Sequence, residues 1–166
     1  MEGRLLETGV ITEASNQARD LFNKGKFGTL KKSSVVLSFF EAMYLVEKEK
    51  LNINKLNEES FLRKIKKKVK QFSTKYAVYR DLREKGYIVK TALKFGAEFR
   101  VYDKGVNPGQ DHSKWVVFPV HESDSLTWHD FASKNRVAHS TKKNLLIGIV
   151  DDEEDVTYYE ISWKRP

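Results

Sequence analysis

Cysteine is missing from this chain of 166 residues. Its absence excludes a disulfide framework and a thiolate zinc site. Histidine is scarce, with four copies, so a metal site built wholly from protein ligands is not expected. No apolar run approaches the roughly 18–20 residues that a membrane span needs. The opening Met1-Glu2-Gly3-Arg4 has no signal-peptide core. These absences point to a soluble, cytoplasmic protein with no membrane partner. Acidic charge is in deficit as well: 23 Asp and Glu stand against 30 Lys and Arg, for a net charge of +7. An excess of basic charge on a soluble chain favours a polyanionic partner, most often nucleic acid. Hydrophobic residues at 40% are enough to bury a core, and the length leaves room for one ordinary domain or two small ones.

Local signals divide the chain into two halves. Leu5, Leu6, Val10 and Ile11 alternate loosely around Gly9, which reads as one or two short strands with a turn. Residues 15–24 read as a short helix ending at Gly25, a residue suited to a left-handed cap. Val35, Val36 and Leu37 form a short β-branched run. Ser38, with Glu41 three residues on, is a capping box that opens a helix to about Lys50. Residues 57–85 are helical in pattern. Phe61, Leu62, Ile65, Val69, Phe72 and Tyr76 recur at helical spacing, and Ser73-Thr74 is the expected break.

Beyond Gly86 the hydrophobic period becomes two. Residues 87–93, 98–102, 115–120, 145–150 and 156–163 read as strands, with one more helix over about 127–140. The expected fold class is α+β: a small mixed α/β N-terminal domain, 1–71, followed by a C-terminal domain, 72–166, with a central mixed β-sheet flanked by helices.

His112 lies in a loop rich in turn formers, Gly105-Val106-Asn107-Pro108-Gly109-Gln110-Asp111-His112. Tyr102 ends the strand before that loop, and Lys143 opens a later strand. A Tyr, a His and a Lys, each beside a loop, can converge on a phosphodiester. Residue types alone do not decide this. A loop histidine is more often bland, Tyr102 can be a strand aromatic, and Lys143 can be one of a surface pair with Lys142.

Longer motifs surround these three residues. They begin with Tyr76-Ala77-Val78-Tyr79-Arg80-Asp81-Leu82-Arg83 and Gly86-Tyr87-Ile88-Val89-Lys90-Thr91. They continue with Lys94-Phe95-Gly96-Ala97-Glu98-Phe99-Arg100-Val101-Tyr102, then His112-Ser113, then Arg136-Val137-Ala138-His139-Ser140-Thr141-Lys142-Lys143. In this order they resemble archaeal tRNA-splicing (tRNA-intron) endonucleases. Leu37-Ser38, Glu41-Ala42 and Tyr44-Leu45 extend the resemblance into the N-terminal half.

The resemblance implies an endoribonuclease whose catalytic trio falls on Tyr102, His112 and Lys143. Such enzymes cut precursor tRNA where the intron boundaries form a bulge–helix–bulge. They leave a 2′,3′-cyclic phosphate and a 5′-hydroxyl, with no metal or other cofactor. The chemistry is compatible, because RNA carries its own nucleophile, the 2′-OH. An enzyme must take that proton, give one to the leaving 5′-oxygen and stabilise the phosphorane charge. An imidazole with a pKa of about 6.5 suits the proton donor, and Lys143 supplies a point charge. A phenol with a pKa of about 10 is a poor base unless a cation depresses it. The assignment of acid and base between Tyr102 and His112 therefore stays open.

Further roles follow from the same resemblance. Arg136 is expected to stack on a bulge base, since guanidinium planes stack well on bases, with Trp163 as the other half of the clamp. The plainer reading buries Trp163 under a strand. His139 reads as a packing or capping residue, and His121 and His129 as surface residues. The acidic run Asp151, Asp152, Glu153, Glu154 and Asp155 reads plainly as a solvated turn; in the family it docks into a neighbouring subunit. The last strand, with Tyr158, Ile161 and Trp163, would pair with its twin. The chain is thus expected to form a homotetramer, or alternatively a heterotetramer with a related subunit. Six of the eight residues in 63–70 are Lys or Arg, which marks a solvated helix face, an RNA groove or a surface that receives the acidic loop.

Competing readings are a non-catalytic subunit of such an assembly, which should lack the trio, and a plain RNA-binding module. A metal-dependent DNA nuclease would need clustered carboxylates, and Glu98 and Asp103 are the nearest to Tyr102. Trp115 and Asn144 depart from the family pattern beside the motifs.

Overall fold

The computed structural model describes residues 1–53 and 56–166. They divide into two units, Met1–Phe72 and Ser73–Pro166. Together the units are of the α+β class.

In the first unit, strands β1 (Glu2–Leu5) and β2 (Val10–Thr12) form the expected hairpin, followed by α1 (Asn16–Asn23). The Ser15 hydroxyl caps α1 by accepting the Ala18 N–H at 3.1 Å. Gly25 does not take the left-handed conformation; Lys26 does, at φ 57°. Glycine is required at 25 for space, because a Cβ there would lie 2.8 Å from the Leu21 carbonyl oxygen. Strands β3 (Thr29–Lys31) and β4 (Ser34–Leu37) make a second hairpin. The three residues of β3 are all exposed, so they carry no hydrophobic alternation and the sequence pattern misses them.

Helix α2 (Phe39–Glu47) opens on the capping box and ends a few residues before Lys50. The Ser38 Oγ accepts the Glu41 N–H at 3.2 Å, and Glu41 Oε2 accepts the Ser38 N–H at 2.9 Å. Glu41 does more than the box requires. Its side chain is buried, and Oε1 accepts the Gly28 N–H at 2.7 Å. One carboxylate therefore ties α2 to the β3 approach. Glu41→Ala strands two partly buried backbone donors, and a loss of about 2–4 kcal/mol is expected. Urea unfolding of the variant beside the parent measures it; an unchanged midpoint would contradict this role.

The short strand β5 (Asn52–Ile53) pairs in parallel with β1, giving the order β3-β4-β2-β1-β5. Helix α3 (Glu58–Lys68) follows, capped by Asn57. The helical run breaks at 69–71, where Val69 is extended and Gln71 has φ 52°, and not at Ser73-Thr74. Those two residues lie in the first turn of α4 (Phe72–Glu84), where weak helix formers are tolerated.

The second unit is built on a sheet of order β10-β9-β8-β7-β6. Its strands are β6 (Ile88–Thr91), β7 (Phe99–Tyr102), β8 (Trp115–His121), β9 (Asn144–Val150) and β10 (Val156–Ile161). Neighbours are antiparallel except β8 and β9, which need a crossover, supplied by α5 (Trp128–Ser140). Leu93 lies in a short 3-10 turn beyond β6. Ala138 of α5 packs with Val116, Leu145 and Ile147 on one face. On the other, Tyr79 of α4 meets Phe99 with ring centroids 5.8 Å apart. The Tyr158 hydroxyl donates to Asp81 at 2.7 Å. Both faces of β9 are thus covered, which is why it reads as a continuous apolar run. β10 ends at Ile161, two residues before Trp163.

Candidate active site

Sheet topology decides where the chemistry gathers. β7 runs antiparallel to β8, so it ends where β8 begins; β9 is parallel to β8 and starts level with it, Trp115 opposite Asn144. The end of β7, the loop before β8 and the turn before β9 therefore meet at one end of three adjacent strands. Tyr102, His112 and Lys143 occupy those three places. They line one open cleft of about 510 Å3, with Phe95, Arg100, Asp111 and Ser113 among its walls.

Each side chain is held by its own device. Tyr102 is nearly buried at the end of β7, opposite Ile88. His112 is exposed, and its backbone N–H donates to Asp111 Oδ1 at 2.7 Å. Its loop turns tightly at Gly109, φ +92°, a conformation that L side chains rarely adopt. The Asp103–Lys114 ion pair, 3.1 Å, closes the loop's base and holds the Asp103 carboxyl below its usual range, first through the hydrogen bond from Lys114. Lys143 follows the left-handed Lys142, φ 55°, and its N–H returns to the Ala138 carbonyl at 2.9 Å. Partial burial, then the charge of Arg100, holds the Lys143 ammonium below the usual lysine range.

Arg100 and Phe95 belong to this cleft, yet sequence reasoning passed over both. The signal was present for Arg100. It lies two residues before Tyr102 on a strand, so the two side chains share a face.

Arg136 and Trp163 come together as well. Arg136, His139 and Trp163 line a second hollow between α5 and the C-terminal tail. Trp163 is 58% exposed, so it is not buried under a strand. The His139 ring packs on it, centroids 4.7 Å apart, on an exposed helix face. A third hollow contains both Trp163 and Lys143, so the surface runs continuously from the Arg136 pair to the cleft.

The acidic run is an ordered turn between β9 and β10. Asp151 Oδ1 accepts the N–H groups of Glu153 and Asp155, both at 2.9 Å. Glu154 pairs with Arg80 at 3.2 Å, and Asp152 faces His121 at 3.3 Å. Glu153 and Asp155 meet no cation among the described residues. The Tyr158 side chain points to α4, and its phenol is pushed up by burial and by the bond to Asp81. Trp115 and Asn144 share a partner: Trp115 Nε1 donates to Glu160 at 2.6 Å and Asn144 Nδ2 at 2.9 Å.

Among the described residues no three His, Asp or Glu side chains are grouped to hold a metal ion. Glu98 is paired with Lys75 at 2.9 Å, and Asp103 with Lys114. No described helix is long and apolar enough to cross a membrane.

The profile of the tRNA intron endonuclease catalytic C-terminal domain matches residues 72–158, and that of the tRNA intron endonuclease N-terminal domain matches residues 1–63. A tRNA-splicing endonuclease of Methanothermobacter thermautotrophicus is 42% identical over all of this chain and 99% of its own length. One from Nanoarchaeum equitans is 47% identical over 78% of this chain and 90% of its own. One from Pyrococcus furiosus is 43% identical over 94% and 92%. The chain belongs to the tRNA intron endonuclease family and carries its catalytic domain.

Proposed function

We propose that the chain excises introns from precursor tRNA by cutting at a bulge–helix–bulge through metal-independent transesterification. One observation carries the reading: three separate segments of a tRNA intron endonuclease catalytic domain bring a Tyr, a His and a Lys to one cleft. In the proposed step the 2′-oxygen passes its proton to the deprotonated Tyr102 oxygen and bonds to phosphorus. The bond to the 5′-oxygen breaks, and that oxygen takes up a proton. The products are a 2′,3′-cyclic phosphate and a 5′-hydroxyl. His112, exposed and mounted on a loop, is the proton donor to the leaving oxygen. Lys143 stabilises the phosphorane. Tyr102 works beside it at the end of β7. Incubating the purified chain with an intron-containing transcript in EDTA tests this. Cyclic-phosphate ends are expected; a need for Mg²⁺ in the single-turnover step would favour the metal-dependent nuclease.

Arg136 and Trp163 form the base clamp in this proposal, supported by their shared hollow and its continuity with the cleft. Arg136→Ala should weaken placement of the bulge more than general RNA affinity. A stacked base contributes only about 1–3 kcal/mol, while phosphate contacts supply most of the binding. Equal losses on bulged and fully paired RNA, in a filter-binding comparison, would reduce Arg136 to a phosphate contact.

The assembly proposed is a homotetramer, a dimer of dimers. β10 lies at the end of its sheet, and an open strand edge invites pairing with a twin. The acidic turn makes the second contact, because acids near an RNA cleft repel substrate but suit a basic protein surface. A cytoplasmic location goes with the precursor tRNA substrate.

A further inference from the structure

Arg100 and Tyr102 leave the same face of β7, and both line the cleft with Lys143. The Arg100 guanidinium carbon lies 5.8 Å from the Phe95 ring centroid and 5.9 Å from that of Tyr102. Lys143 Nζ lies 6.0 Å from the same Phe95 ring. Two cations thus share one aromatic wall. No carboxylate is paired with either among the described residues. The acid lining the cleft is Asp111, which is exposed and already accepts the His112 backbone N–H. The Arg100 Nε is buried and has no hydrogen-bond partner.

In the protein alone this arrangement is unfavourable. Neighbouring like charges repel, and partial burial first, then the Arg100 charge, lowers the affinity of Lys143 for its proton. A buried donor without an acceptor adds to the cost. An anion held between the two cations reverses the first effect, and an oxygen beside the guanidinium removes the second. Burial in a cleft strengthens both attractions relative to water.

We propose that Arg100 is a second phosphate-binding cation of the cleft, and that its ligand is a nonbridging oxygen of the scissile phosphodiester, held jointly with Lys143. This inference rests on reading the cleft as an RNA-cleaving site. The planar, permanently charged guanidinium suits a phosphate oxygen. The Phe95 and Tyr102 rings hold it by cation–π contact, which orients it before substrate arrives. As the 2′-oxygen bonds to phosphorus, charge on the nonbridging oxygens grows, so attraction to Arg100 is greater in the transition state than in the ground state. Arg100 exchanges no proton; it changes the rate by charge and position.

The test compares the wild-type chain with Arg100→Gln and Arg100→Lys. Single-turnover rates are measured on an intron-containing transcript, and affinities on the same transcript blocked by 2′-deoxyribose at its cut sites. Arg100→Gln is expected to cut roughly 10²-fold more slowly, with a much smaller loss of affinity for the blocked RNA. Arg100→Lys, which keeps charge without the planar fork, should fall between the two. NMR of the lysine ε-methylene groups supplies a readout without RNA: in Arg100→Gln the Lys143 titration moves to higher pH. A wild-type rate in both variants overturns the role of Arg100 and leaves the RNA-cleaving reading standing. So does blocked-RNA affinity falling as far as the rate, with the Lys143 titration unmoved. A wild-type chain that does not cut the transcript overturns the reading itself. If the glutamine variant unfolds, Arg100→Lys carries the test, and its cutting at the wild-type rate overturns the role of the guanidinium.

Discussion

Single-turnover cleavage by His112→Ala is expected to fall about 10²–10⁴-fold, the usual contribution of a positioned acid or base. Binding of the precursor should persist, because His112 sits on an exposed loop and its side chain supports no core. Lys143→Ala should lose a comparable factor through missing transition-state charge. If either variant is folded, correctly assembled and cuts at near the wild-type rate, the catalytic assignment is wrong.

Neutralising part of the acidic turn should break the assembly in half. The structure changes how this must be done. Asp151 cannot be altered cleanly, since its carboxylate accepts two backbone N–H groups and shapes the turn. Glu154 is paired with Arg80 within the chain. Asp152, Glu153 and Asp155 are exposed and not needed to close the turn. The combined Asp152→Asn, Glu153→Gln and Asp155→Asn chain should therefore fold normally and form dimers near 39 kDa, twice 19.3 kDa. The parent should show about 77 kDa, four times that mass. The proposed receiving surface is α3, where Lys64, Lys66 and Lys67 are exposed without an acid partner among the described residues; Arg63 and Lys68 pair with Glu59 and Glu7. Such a contact is partly electrostatic, so the parent tetramer should loosen as salt shortens the screening length. Light scattering decides it. A variant that stays tetrameric would remove the acidic turn from assembly. A fully active parent of dimer mass would sink the tetramer, and activity appearing only with a second polypeptide would point to the mixed assembly.

Much of the fold was legible because burial leaves a period in the sequence. The stripe from Phe61 to Tyr76 and the two-residue period after Gly86 both reflect faces turned to a core. What was not legible had no such trace. β3 is exposed throughout, and β5 is two residues long. The break in the long helical run depends on the backbone angle of Gln71, which a polar residue does not announce. The site divides in the same way. Long motifs pointed to Tyr102, His112 and Lys143 by resemblance, whereas their meeting in one cleft depends on strand order, and so had to be seen. Arg100 was hidden inside a motif and became visible only when Phe95 and Lys143 were found around it. Asp151 and Glu154 looked equivalent to their neighbours, because a run of acids does not say which members bond inward.

The central claim is that the RNA supplies its own nucleophile in this cleft. A transcript carrying a single 2′-deoxyribose at one of its two cut sites tests it most directly. The account predicts that cutting stops at the modified linkage and proceeds at the other, since without the 2′-OH no cyclic phosphate can form. Cleavage at the modified linkage at an undiminished rate would contradict it and would mean that water is the nucleophile.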